Sequence, residues 1–255
     1  GPLAGFESAS KREVARCKAG VARRIVVWHL KTMAHQHQPL STQNLAVTKP
    51  ATKTAALIYQ YSVESANSLW AAYDLARVSR GKPRGITTDQ EQDLLRAVVV
   101  SAASGCDAAL KQLMRDSVPV LIKASESVHE VFEKFAQRRL QTGETGVATV
   151  SPKILARILA APDPQKQLIE DYVYELTGDS LQSAEQLLKV CTALGVDAKN
   201  AVGDVKSLKD VFAARNQMIH ELDMNLASPN RKRRVRGQKD MQGYAEQLLH
   251  ISAAV

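Results

Sequence analysis

Leu208-Lys-Asp-Val-Phe-Ala-Ala-Arg215-Asn216-Gln-Met-Ile-His220-Glu-Leu222 is the stretch on which the reading of this chain turns. At about 100° per residue, Leu208, Val211, Phe212, Met218, Ile219 and Leu222 fall on one helical face. Arg215 lies near the middle of that same face. The period predicts an amphipathic helix from Val205 to about Asn225. A guanidinium keeps its charge, so burying it unpaired is expensive. Two arrangements answer that cost. An acid from a neighbouring helix pairs with it, Asp107, Asp171 and Glu185 being available, or the face lines a groove that admits water and an anion. Asn216 and His220, four apart, share a second face.

Working outward, the helical period continues in both directions. Val14, Val21, Ile25, Trp28 and Met33 mark a helix from Ser8 to about Gln38, closed by Pro39. Leu40 to Pro50 reads as a polar linker. A long helix then runs from Pro50 to about Ser79, ended by Gly81 and Pro83. Thr88-Asp-Gln-Glu91 has the form of a capping box. It opens a helix carrying Leu94, Leu95, Val98, Val99, Cys106, Leu110 and Leu113. The middle of that helix, Ser101-Ala-Ala-Ser-Gly105, is made of small residues and lets another helix approach closely.

Ser117 and Pro119 predict a restart, with a new helix through about Leu140. Gln141 to Val150 reads as a loop. Ser151-Pro152 and Asp163-Pro164 each place an N-cap before a proline, opening helices to about Ala160 and Leu176. Leu181 to Leu194 is a further helix, with Gly195 in the C′ position. A final amphipathic helix starts near Lys239. The expectation is an all-α helical bundle of roughly eight helices, with no strand and no repeat of fixed period. Residues 1–7 are expected to be a cloning remnant and disordered start, 8–49 an N-terminal helix with its linker, and 50–255 the helical domain.

Composition agrees with a globular helical chain. Of 255 residues 45% are apolar and 24% charged, with only 13 glycines and 9 prolines. No apolar run approaches the roughly 18–20 residues of a membrane span; Ala97-Val-Val-Val-Ser-Ala-Ala is far shorter. The opening Gly1-Pro2-Leu3-Ala4-Gly5 lacks the basic start and apolar core of a signal peptide. Cys17, Cys106 and Cys191 are odd in number and far apart, which argues for a reducing, cytoplasmic setting and against a disulfide frame or zinc site. His35 and His37 diverge on a helix with no further ligand nearby, and His29, His129 and His250 stand alone. No glycine-rich phosphate loop is present, and no metal or cofactor is expected.

The net charge is +8. Six of those charges come from Arg231, Lys232, Arg233, Arg234, Arg236 and Lys239, and the remainder is about +2. Basicity is thus a local patch, which points to phosphate contact on a polyanion. A solvated loop is the plain reading of the same residues.

Arg215-Asn-Gln-Met-Ile-His220, late in a helical domain and following Leu-x2-Val-Phe-x2-Arg-Asn, resembles the Arg-polar-x3-His motif of the HEPN superfamily. The upstream helix Leu94 to Leu110 and the short C-terminal helix extend the resemblance over about residues 50–255. The resemblance implies a metal-independent endoribonuclease acting as a homodimer, whose two motifs form one composite active site. His220 would be the general acid/base, Arg215 would stabilise the phosphorane-like transition state, and Asn216 would orient the motif or bond the phosphate. Products would carry a 2′,3′-cyclic phosphate and a 5′-hydroxyl. A toxin or antiviral-defence role follows from the resemblance, as does a cognate antitoxin or regulatory partner. Residues five apart diverge by about 140° on a helix, so a two-fold axis bringing Arg215 of one copy to His220 of the other gives the dimer a geometric motive. The alternatives are a non-catalytic HEPN-like module binding RNA or a protein partner, and a DNA-binding protein using the 231–239 loop.

Overall fold

A computed structural model describes residues 38–45, 47, 49–81, 85–140, 152–181, 183–203 and 205–255. The remnant expected over 1–7, nearly all of the helix expected over 8–38, and the loop expected over 141–150 lie outside them. The described chain is all-α. A 3₁₀ turn at Pro50–Thr52 leads into α1 (Lys53–Ser79), followed by α2 (Asp89–Ala124), α3 (Glu126–Leu140) and α4 (Pro152–Leu159). Then come α5 (Pro164–Thr177), α6 (Ala184–Leu194), α7 (Ala198–Val202), α8 (Val205–His220) and α9 (Gln238–Ala254). No helix among the described residues is long and apolar enough to cross a membrane.

The bundle is built on α2. Its start is fixed by both halves of the capping box: Thr88 accepts from the Glu91 amide, and Glu91 accepts from the Thr88 amide. Leu95, Val98, Val99, Ala102, Cys106, Leu110 and Met114 are buried along it, and α1, α3, α5, α6, α8 and α9 all pack against it. The restart expected at Ser117 and Pro119 does not occur. Pro119 stands inside α2, because the apolar stripe runs on through Val118 and Ile122, both buried. That packing outweighs the one helical bond that proline cannot make to the Arg115 carbonyl. The break comes at Ser125, in extended conformation.

Other boundaries follow local chemistry. Asp163 caps α5, with Pro164 behind it. Ser183 caps α6, and Gly195 closes it at φ 68°. The stretch expected to be a polar linker is pinned to the bundle over its described part. The Leu40 amide donates to Asn67 Oδ1 at 2.8 Å, Trp70 Nε1 donates to the Gln38 carbonyl at 3.1 Å, and Leu40 itself is buried.

A close helix crossing lies where the small residues predict one. A Cβ placed on Gly105 would sit 1.8 Å from Ser62 Oγ and 2.2 Å from Ser62 Cβ. Gly105→Ala must therefore part α1 from α2, at about 1–3 kcal/mol of stability. Adding Ser62→Gly should recover most of that loss in urea denaturation. An equal loss with and without Ser62→Gly would show that this contact does not set the crossing.

Candidate functional site

The candidate motif lies on the last two turns of α8. Leu208, Val211, Phe212, Ala214 and Met218 are buried, but Ile219 is 37% and Leu222 68% exposed. The apolar face expected to run through Leu222 thus ends at Met218. The cause is an early stop: α8 ends at His220 rather than near Asn225. Leu222 and Asp223 then take left-handed conformations, φ 51° and 57°. The Asp223 amide turns back to the Gln217 carbonyl at 2.7 Å. Two non-glycine residues in that region cost about 1–2 kcal/mol each. What holds them there is the side chain of Asp223.

Asp223 is fully buried. Its carboxylate accepts from Arg96 Nε at 2.8 Å and from both Nε and an Nη of Arg236, the latter at 2.6 Å. Arg96 also donates to Asp93 Oδ1 and to the Arg234 carbonyl, and Arg236 to Gln217 Oε1. Gln92 pairs its amide with the backbone of Arg236, accepting from the Arg236 amide and donating to its carbonyl, both at 2.9 Å. Burial alone would raise the Asp223 pKa. The hydrogen bonds and charges of Arg236 and Arg96 outweigh it and hold the carboxyl below its usual range.

This cluster uses much of the basic run. Residues 223–234 fold back as a hairpin-like loop, with a single bridge between Met224 and Arg233 and a bond from the Arg234 amide to the Asp223 carbonyl. Arg233 pairs with Asp93 at 2.7 Å, Arg234 with Glu221 at 3.2 Å, and Arg236 with Asp223. Arg233 is the main reason the Asp93 carboxyl also titrates low. Arg231, Lys232 and Lys239 stay exposed. Of the six residues read as a phosphate-binding patch, three therefore hold the loop to its own protein.

Arg215 has no such partner among the described residues. It is half-buried, and its hydrogen bond goes to Asn216 Oδ1 at 3.0 Å. Asp107 acts on it through space, opposing the desolvation that lowers its pKa. That carboxylate is already engaged by Lys111 Nζ at 3.0 Å and the Leu181 amide at 2.6 Å. The other two acids are taken as well: Asp171 pairs with Arg157, and Glu185 with Lys189. His220, the last helical residue, is exposed. Arg215 and Asn216 are in contact, then, while His220 stands further along the helix on open surface.

Sequence reasoning missed Asp223, Arg96 and Gln92. A signal existed for two of them: Gln92, Arg96, Val99 and Ala103 repeat at helical spacing, and all four are buried. Asp223 carried none, since its burial depends on the turn after α8.

Two grooves lie away from the motif. One of about 630 Å³ runs between α3, α5 and α6 over the ring cluster of Phe135 and Tyr172. Another of about 570 Å³ runs between α2 and α5.

Asp223→Ala would leave two largely buried guanidinium groups facing each other, and a loss of about 3–5 kcal/mol is expected. The pH dependence has a definite sign. A depressed carboxyl pKa contributes stability that is complete above the ordinary value of about 4 and is lost as pH falls through the folded value. Acid titration of the melting temperature should therefore be shallower in Asp223→Asn than in wild type; parallel curves would show that Asp223 does not carry the acid sensitivity. Comparison with protein-family models, curated proteins and solved structures found no match for this chain.

Proposed function

We propose that this chain is a metal-independent endoribonuclease of HEPN type, with Arg215, Asn216 and His220 as its centre. One observation carries the reading: the half-buried Arg215 guanidinium is held by Asn216 and has no ion-pair partner among the described residues, while Asp107, the carboxylate that acts on it through space, is engaged by Lys111. A fixed cation left short of anionic partners suits a phosphodiester, whose planar oxygen pairs match its donor fork.

In this mechanism the 2′-hydroxyl of the RNA gives its proton to the imidazole of His220. The 2′-oxygen then attacks the adjacent phosphorus. Arg215 stabilises the extra negative charge on the equatorial oxygens. The bond to the 5′-oxygen breaks, and that oxygen takes a proton from an imidazolium, leaving a 2′,3′-cyclic phosphate and a 5′-hydroxyl. Two histidines on opposite sides of the phosphorus serve this better than one. The open position of His220 and the exposed apolar side chains of Leu222, Leu226 and Val235 in the turn and loop that follow it support a second copy docking at this end of α8. The same exposed side chains favour one alternative, a non-catalytic helical module whose α8 end binds a protein partner. Arg231, Lys232 and Lys239 remain available to RNA phosphates in the ribonuclease reading.

Wild type, Arg215→Ala and His220→Ala incubated with total RNA in excess EDTA separate the two. The reading expects cleavage with cyclic phosphate ends by wild type and a loss of at least a hundredfold in each variant. Equal cleavage by all three, or none by any, would sink it.

A further inference from the structure

The groove between α2 and α5 combines cations and an aromatic ring in a way that the rest of the fold does not use. Arg115, Pro119 and Lys123 line it from α2, and Lys166, Val173 and Tyr174 line it from α5. Tyr174 is 77% exposed, in the last turn of a helix that buries Ile169 and Tyr172. Asp163 and Glu170 also border the groove, but both are engaged. Asp163 Oδ1 caps α5 by accepting from the Lys166 amide at 2.9 Å, and Glu170 faces Lys166 Nζ at 3.9 Å. Among the described residues no carboxylate lies within ion-pair distance of Arg115 or Lys123.

We infer that this groove is a binding track for single-stranded RNA, separate from the Arg215–His220 centre. The physical case has three parts. Tyr174 offers an exposed ring on which a base can stack, a contact that tolerates any sequence. Arg115 and Lys123, eight residues apart on α2, stand about 12 Å apart along the axis, so they meet different phosphates of one strand rather than a single anion. Pro119 between them has no amide to give to the Arg115 carbonyl, which leaves an acceptor for a base amino group or a ribose hydroxyl. An acidic peptide would use the two cations and leave the ring idle. A duplex would offer no free base to it.

The inference goes beyond the ribonuclease reading and leans on it only in naming RNA as the strand. The two can fail separately, because one is read as binding and the other as cleavage. Full-length His220→Ala protein, which in that reading keeps the strand intact, is titrated into a fluorescein-labelled oligouridylate, with anisotropy recorded over a range of salt. Tyr174→Ala should weaken binding about tenfold with an unchanged salt slope. Arg115→Ala/Lys123→Ala should weaken it and lower the slope of log K against log salt by about 1.4, the value for two contacts on a single strand. Lys134→Ala/Lys189→Ala removes two charges from the groove beside α3 and α6 and should change little. No binding by the parent protein, an unaffected Tyr174→Ala, or an equal loss in Lys134→Ala/Lys189→Ala would each overturn the assignment.

Discussion

The carboxylate of Asp223, sealed between two guanidinium groups, is the constraint from which the α8 end of the molecule takes its shape. A buried charge is tolerated only when it is paired and its remaining lone pairs are filled. Asp223 meets both conditions through Arg96 and Arg236. Each of those arginines then needs acceptors for its spare donors, and finds them in Asp93, the Arg234 carbonyl and Gln217. The network thereby ties three things together: the start of α2, the end of α8, and the basic loop. It also fixes where α8 stops, because Asp223 reaches the pocket only if the chain turns left-handed after His220. The terminal position of His220 is a product of that burial.

Charge in this protein is divided by partner rather than by sequence position. Glu91, buried at the other side of the α2 N-terminus, gathers Arg77 at 3.7 Å and Arg80 at 2.9 Å, while its backbone role closes the capping box. Arg77 also lies over the ring of Tyr73. Arginines near the α2 start therefore consolidate structure, and so do three in the dense run after α8. Arg215 and Arg115, which have no acid paired to them among the described residues, lie elsewhere. A cluster of basic residues in a sequence is a poor guide to where a polyanion binds when buried acids compete for it.

Much of the fold could be read from periodicity and caps. The Thr88 box, the Asp163-Pro164 and Gly195 boundaries, and the small-residue crossing at Gly105 depend on local chemistry, which sequence displays directly. The errors share a cause. Pro119 reads as a helix break because its intrinsic cost is visible in sequence, whereas the burial of Val118 and Ile122 that outweighs it is tertiary. Leu222 falls on the core face only if helical phase continues past a stop that the Asp223 cluster imposes. The short helix α7 was not foreseen at all; five residues give too little period to see. At the candidate site, Arg215 stood out because a charge on an apolar stripe breaks the pattern. Arg96 breaks a pattern too, but it lies among the polar residues of the first turns of α2, at the edge of the apolar stripe, where a charge is not conspicuous.

The central position of α2 has a consequence for how the chain reaches this state. Its partner α1 is its neighbour in sequence, so that hairpin closes a short loop and can form early. Its other extensive partner, α9, begins at Gln238, more than a hundred residues after α2 ends at Ala124. Arg236 and Asp223 lie just before α9, so the ionic cluster can assemble only when that distant segment arrives. Until then Arg96 faces water, and the apolar strip of α2 that α9 will cover is open. The turn that ends α8 after His220 is thus completed by a long-range contact, and a nascent chain that stops before Arg236 would carry the motif without its full anchor.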